Sequence, residues 1–380
     1  MLRPLPSEIL DLIVGHLHNE PATLKTCCLV SKSWVPRTRR HLFDTVEFGS
    51  PSPTIISWMN AFPDPLDSPA HYVQTLKILD IWSATAPAHW IRAFRNVVRL
   101  NMAAIPWEDL DDEEASLVPF HGLSHTVRFL RLGFDTAPLP EVFDLICSFP
   151  LLEDLVLCHL AGECDPDEWE TPSTSPKFTG TFNLVAMRGA GSTVRWLLGL
   201  PNGLHFKNVA LVCVHEADFG PTTDLVSACS ESLEDLNVTC NFMGLCPLPQ
   251  FSTGNSLFRP DPPPSSFSLS AATKLKELTF QCVRRGVGWI TTALQTNQSK
   301  NLQRIAISLC ETALDDMTDM ATQEWMDLDH LLVQFWGSHS IRPRVAYVTD
   351  EEGLDMEDYS MVLLPELTRR GLIDLVKITS

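Results

Sequence analysis

The sequence contains no apolar run that approaches the roughly 18 residues of a membrane-spanning helix, so none is predicted. No signal peptide is expected either, because Glu8 and Asp11 interrupt the stretch that would have to be apolar. The 11 cysteines include no Cys-x-x-Cys pair, and such cysteines are expected to stay reduced and to act as small apolar residues. These absences predict a protein of the cytoplasm or nucleus with no membrane partner.

Basic residues are scarce, since 28 Lys and Arg face 47 Asp and Glu, for a net charge of −19. Residues 1–50 hold six basic and five acidic residues, so the remaining 22 basic and 42 acidic residues place −20 on the rest of the chain. Nucleic acids and anionic membranes need basic surfaces, so neither is expected as a partner. The acidic body would accept a basic protein substrate, although an acidic surface also serves solubility.

Motifs for catalysis are missing from the sequence. Gly189-Ala190-Gly191-Ser192 is neither a nucleophile elbow, which needs Gly-x-Ser-x-Gly, nor a phosphate-binding loop, which needs a lysine after the glycines. The pairs His121–His125 and Cys158–His159, with Cys164, lack the close spacing that is typical of metal ligands. No catalytic, cofactor-binding or metal-binding residue is therefore predicted, and the chain is expected not to be an enzyme.

A dense apolar pattern does occupy the first 48 residues. Pro6 suits the first turn of a helix, and Glu8 would meet the positive end of the helix dipole. Apolar residues then recur at helical spacing, and Pro21 and Pro36 separate two further short helices. Three short helices cannot bury all of these side chains among themselves, so the surplus needs either a partner or the rest of the chain.

The run LPSEILDLIVGHL…TLKTCCLVSKSWVPRTRRHLF resembles an F-box. The residues that carry the resemblance agree in order and in spacing; they are Leu5, Pro6, Glu8, Ile9, Leu10, Ile13, Leu17, Leu24, Leu29, Val30, Ser31, Trp34 and Leu42. The ending RTRRHLFDTVEF is also similar to F-box proteins that are numerous in mushroom-forming fungi.

This resemblance implies a role in ubiquitin ligation. Members of the F-box family bind the Skp adaptor of a cullin–RING ubiquitin ligase, and the rest of each chain selects the substrate. The adaptor-binding residues implied here are Leu5, Pro6, Ile9, Leu10, Ile13, Leu17, Leu29, Val30 and Trp34. The expected partners are therefore Skp, cullin through Skp, and a protein substrate of unknown identity.

From residue 73 onward an apolar pattern recurs, in which the second apolar residue follows the first by three positions and the third follows by two. The copies are Val73-Leu76-Ile78, Val97-Leu100-Met102, Val127-Leu130-Leu132, Leu152-Leu155-Leu157, Phe182-Val185-Met187, Phe206-Val209-Leu211, Leu233-Leu236-Val238, Leu275-Leu278-Phe280, Leu302-Ile305-Ile307 and Ile373-Val376-Ile378. The first nine start 24, 30, 25, 30, 24, 27, 42 and 27 residues apart, with helical stretches between them. A strand, a turn and a helix at this period are typical of a leucine-rich-repeat solenoid.

Each such unit is too small to bury its own apolar face, so neighbouring units must stack, with parallel strands on one side and helices on the other. The body resembles the leucine-rich-repeat region behind many F-boxes. However, the Asn or Cys that this family places after the third apolar residue occurs only as Asn241 and Cys310, so the repeats are degenerate. The predicted fold class is α/β: a three-helix F-box at 1–48, a junction at 49–71 and a leucine-rich-repeat-like solenoid with a parallel sheet at 72–380, with inserted loops at 160–181 and 244–268.

Two alternatives remain open. In the first, the F-box-like helices only cap a repeat scaffold that has no role in ubiquitin ligation. In the second, the chain is an enzyme whose site is built from loops without a recognisable motif. A well-behaved monomer without an adaptor would favour the scaffold, and a deep pocket lined by ionisable residues would favour the enzyme.

Overall fold

A computed structural model describes residues 6–49, 52–79, 87–105, 117–134, 139–158, 172–185, 190–214, 218–241, 267–283, 287–310, 323–339, 341, 343–348, 360–361 and 363–378. The chain divides into two compact units. The first comprises residues 1–162 with 172–177, and the second comprises residues 163–171 with 178–380.

The first unit begins with three short helices, α1 (Ser7–His16), α2 (Pro21–Val30) and α3 (Val35–Leu42). The strands among its described residues are β1 (Thr45–Phe48), β2 (Thr75–Ile78), β3 (Arg99–Ile105), β4 (Phe129–Phe134) and β5 (Asp154–Cys158). Between the strands lie α4 (Ile55–Ala61), a 3₁₀ turn (Pro69–Tyr72), α5 (Ala88–Ile91), a second 3₁₀ turn (Val118–Leu123) and α6 (Leu139–Cys147).

The described part of the second unit contains the strands β6 (Thr181–Val185), β7 (Asn208–Val214), β8 (Asp235–Asn241), β9 (Glu277–Val283), β10 (Arg304–Cys310), β11 (Arg344–Val348) and β12 (Asp374–Ile378). Its helices are α7 (Ala190–Leu198), α8 (Phe219–Ala228), α9 (Gly288–Thr296), α10 (Gln323–His339) and α11 (Pro365–Arg369). Within each unit the strands pair in parallel and in chain order. The α/β class and the parallel, solenoid-like stacking of repeats are confirmed.

A repeated backbone contact sets the register between neighbouring strands. The carbonyl oxygen of Asp44 accepts hydrogen bonds from the N–H groups of both Gln74 and Thr75, each at 2.9 Å. The same two-donor arrangement recurs at the carbonyls of Gln74, Val98, Arg128, Gly180, Lys207, Glu234 and Lys276. Where a strand is entered through this contact, its first residue is aligned with the first residue of its neighbour, and the alternation of side chains stays in phase.

The core lies between the strands and the helices of each unit. Alternate strand residues are completely or almost completely buried there: Leu76, Ile78, Leu100, Met102, Leu130, Leu132, Leu155, Leu157, Phe182, Leu184, Val209, Leu211, Leu236, Val238, Leu278, Phe280, Ile305 and Ile307. The residues between them belong to the opposite face of the sheet, which we call the open face, because successive strand side chains point to opposite sides.

Two of the predicted repeat copies are wrong in register. The copy Phe182-Val185-Met187 predicts a strand near 185–187, whereas β6 spans Thr181–Val185 and buries Phe182 with Leu184. In the tenth copy, the pairing aligns Leu375, rather than Val376, with the buried Val345. An apolar-rich sequence satisfies the spacing in more than one frame, and pairing with the adjacent strand selects the frame.

The predicted junction and the ends of both predicted insertions contribute to the core. Trp58 on α4 lies 5.8 Å from Phe48 and 6.1 Å from Phe94, measured between ring centroids. Phe178 and Phe267, at the ends of the insertions, are fully buried. Residues 260–266, which include three consecutive prolines, and the acid-rich stretches 108–114 and 350–358 lie outside the described residues. Within the described ranges, no helix has the length and apolar character that a membrane crossing requires.

Candidate partner-binding surface on the N-terminal helices

The three N-terminal helices pack together through a small set of buried side chains. Val14 of α1 and Leu24 of α2 are almost completely buried, as are Leu10 and Cys27. Leu10 and Val14 lie one helical turn apart, so they share the face of α1 that is turned inward. Thr38 of α3 is also fully buried, and α3 contacts both of the other helices.

Polar contacts fix these helices to one another. The Arg37 guanidinium on α3 donates through Nε to Asp11 Oδ1 on α1 at 2.6 Å. Thr38 Oγ1 donates to the Trp34 carbonyl at 2.9 Å and lies 2.8 Å from Cys28 Sγ on α2. The arrangement of the helices is therefore held by contacts that do not involve their outward-facing apolar residues.

The outward faces of α1 and the end of α2 carry large apolar side chains. Their exposed fractions are 41 % for Ile9, 61 % for Leu12, 37 % for Ile13, 87 % for Leu29 and 66 % for Val30. Of the 11 exposed large apolar side chains in the described ranges, these five fall within residues 9–30, and the other six are scattered over the rest. Scattered apolar residues are ordinary on a protein surface, whereas a concentration of them marks an interaction site.

The structure places the nine predicted adaptor-binding residues in different environments. Pro6, Ile9, Ile13, Leu29 and Val30 are exposed, and Leu17 and Trp34 are half-buried. Leu10 is turned into the helix packing, and Leu5 lies outside the described residues. Sequence reasoning missed Leu12, although its spacing of three from Ile9 is the signal that could have found it.

A cleft of about 730 Å³ opens between α1, α3 and the start of β1. Its lining is mainly polar and includes the Asp11–Arg37 ion pair, Arg40, His41 and Asp44. None of the five exposed apolar side chains on α1 and α2 contributes to this lining. The cleft therefore does not account for the apolar surface.

The ionisable groups with shifted pKa values are dispersed, and each shift has a local structural cause. A hydrogen bond from Lys77 lowers the pKa of Glu47. Burial raises the pKa of both Cys147 and Cys229 to about 12, which leaves these thiols protonated and unreactive at neutral pH. In the part of the chain that the structure describes, no three His, Cys, Asp or Glu residues form a group that could hold a metal ion.

The five large apolar side chains exposed on α1 and α2 offer contact area rather than reactive groups, so this surface suits protein binding. Comparison with protein-family models and with curated proteins finds no match to this chain. Its function has to be inferred from the residues themselves and from their geometry.

Proposed function

We propose that the chain is the substrate-recognition subunit of a Skp–cullin–F-box ubiquitin ligase, in which α1, α2 and α3 form the F-box. The observation that carries the proposal is the concentration of exposed apolar side chains on α1 and α2. Ile9, Ile13, Leu29 and Val30 belong to this set and are also residues that the F-box resemblance assigns to the adaptor. The repeat body would hold a protein substrate and raise the effective concentration of its lysines near the ubiquitin-conjugating enzyme, without chemistry of its own.

The energetics favour a bound partner. Apolar surface that is left in water costs roughly 25 cal/mol per Å², and a groove on the adaptor would remove that cost. Ile9 and Ile13 lie one helical turn apart, so a single groove can receive both side chains. Anchor residues of such interfaces typically contribute about 2 kcal/mol or more each.

The test is co-expression with the Skp adaptor of the source organism, followed by pull-down. The double variant Ile9→Ala/Ile13→Ala should weaken adaptor binding by several hundredfold or more, if the two losses add to about 4 kcal/mol. Leu29→Ala should weaken it by roughly tenfold or more on the same scale. Ile56→Ala and Leu66→Ala are matched controls, because these side chains are 51 % and 74 % exposed but lie beyond the three helices.

Folding can be separated from binding, because all of the substituted side chains are exposed. Exposed substitutions usually change the free energy of unfolding by no more than about 0.5 kcal/mol, so circular dichroism should show folded variants. The proposal fails if the folded, soluble wild type retains no adaptor. It also fails if the double variant and the controls retain equal amounts.

A cap on a repeat scaffold is the second candidate function, and one feature favours it. The N-terminal helices are continuous with the sheet: α3 contacts the 3₁₀ turn Pro69–Tyr72, and the Asp44 carbonyl that follows α3 receives the first backbone contact of β2. A cap would cover the edge of β1 and would bind no adaptor, so the same pull-down separates the two candidates.

A further inference from the structure

Two arginines stand close together on the open face of the first unit. Arg99 begins β3 and pairs with Phe129 on β4, and Arg131 follows two residues after Phe129. Neighbouring strands lie about 4.8 Å apart and two residues advance about 6.6 Å, so the Cα atoms of the two arginines are separated by roughly 8 Å. Arginine side chains are long enough for both guanidinium groups to meet one small anion.

The Arg99 side chain reaches across to β4. Its Cζ lies 5.1 Å from the centre of the Phe129 ring, so its charge sits over β4, the strand that carries Arg131. Stacking of this kind occupies the face of the guanidinium and leaves its N–H edges available. Among the described residues, neither arginine forms an ion pair, whereas the neighbouring Arg128 is paired with Glu153.

The surroundings define the charge and polarity of a ligand. Lys77, on the adjacent β2, is neutralised by Glu47 at 3.1 Å. Asp154 pairs in register with Phe129, so it lies on the same face of the sheet as the two arginines. Phe129 and Val156, which both lie on the open face, are only partly buried and add apolar surface beside these charges.

Asn101, which pairs in register with Arg131, completes the arrangement. Its amide oxygen is buried and has no hydrogen-bond partner within the described ranges, although the residue as a whole is only half-buried. Asn101 therefore adds a polar side chain beside the two guanidinium groups. We call Arg99, Asn101, Phe129 and Arg131 the β3–β4 patch.

We propose that the β3–β4 patch binds one Asp or Glu side chain of the protein substrate, next to an apolar substrate residue that packs on Phe129 and Val156. This inference rests on the proposed function, because it assigns the patch to substrate recognition. Guanidinium groups bind carboxylates through paired, charge-assisted hydrogen bonds. A carboxylate carries a single negative charge, whereas a phosphoryl group carries about −1.5 to −2 and would be repelled more strongly by the neighbouring Asp154.

The test uses the full chain and fluorescent peptide libraries with blocked ends, which differ only in a fixed central residue: Glu, Gln or phosphoserine. Fluorescence anisotropy should show binding of the Glu library, and the Gln library should bind roughly ten- to a hundredfold more weakly. Arg99→Gln and Arg131→Gln should each cause a similar loss. Arg304→Gln is the matched control, because Arg304 lies on the open face of the second unit and is paired with Glu277 at 3.3 Å.

Equal binding of the Glu and Gln libraries would overturn the proposal, as would variants at Arg99 and Arg131 that bind like the Arg304 control. Tighter binding of the phosphoserine library would reassign the patch to a phosphoryl group and overturn the choice of a carboxylate. The adaptor pull-down is a separate measurement. Retention of the adaptor without peptide binding refutes only this inference, and peptide binding without the adaptor refutes only the ligase proposal.

Discussion

Trp289 of α9 is central to the core of the second unit, and its indole nitrogen has no hydrogen-bond partner in the described part of the chain. The side chain is almost completely buried. Its ring centroid lies 5.1 Å from that of Phe280, 5.6 Å from that of Phe219 and 5.8 Å from that of Phe267. Trp289 therefore combines a large packing contribution with the cost of an unpaired buried N–H group.

These two contributions can be separated by substitution. Trp289→Ala should lower the free energy of unfolding by about 3–5 kcal/mol, because it removes the ring and leaves a cavity. Trp289→Phe keeps an aromatic ring in the cluster. It loses apolar contact worth about 2 kcal/mol, on a scale of about 0.8 kcal/mol per buried methylene, and it removes an unpaired N–H that costs about 1–3 kcal/mol. The net change for Trp289→Phe is expected to be within about 1 kcal/mol of zero.

Urea unfolding, monitored by far-ultraviolet circular dichroism, measures both changes. If the free energy of unfolding depends on urea concentration with the same slope in wild type and variants, their denatured states are comparable. Phe219→Leu is the matched control, because it removes a ring from the same cluster without relieving an unpaired donor. We expect it to cost about 1–3 kcal/mol. If Trp289→Phe destabilises the protein by about 2 kcal/mol or more, the lost apolar contact is not offset, the unpaired N–H has no measurable cost and the reasoning is refuted.

Two further predictions concern titratable groups. Burial is the main cause that raises the pKa of Asp329, although its carboxylate accepts N–H bonds from Glu366 at 2.7 Å and Leu367 at 3.0 Å. A carboxyl with a raised pKa binds its proton more tightly in the folded state. The free energy of unfolding should therefore fall as the pH rises from the pKa of Asp329 in the unfolded chain to its higher pKa in the folded protein. Asp329→Asn should remove this component from urea midpoints measured across acidic pH, and an identical profile in wild type and variant would contradict it. Cys229, which is fully buried and has a pKa of about 12, should react with iodoacetamide only after unfolding, and rapid labelling of the native protein in mass spectrometry would argue against its assigned burial.

The positions of most strands could be predicted from the sequence, because the relevant signal is local. Leu100 and Met102, for example, are two positions apart and three and five positions after Val97, and all three side chains are buried in β3 or just before it. The two failures, at Phe182 and Val376, have a common cause. Either frame gives an acceptable local pattern, and only backbone pairing with the neighbouring strand distinguishes them.

For the candidate surface, the sequence alone determined that the N-terminal segment has more apolar residues than three short helices can bury, because composition and helical period are properties of the chain itself. Tertiary structure decided which of them stay exposed. Leu10 and Ile9 are adjacent in sequence, yet in the packed helices the first is buried and the second is 41 % exposed. Tertiary structure also decided that Arg99 and Arg131 lie near each other, although they are 32 residues apart in sequence. Only the parallel register of β3 and β4 brings their charges together, because the contact depends on strand pairing rather than on neighbouring residues in the chain.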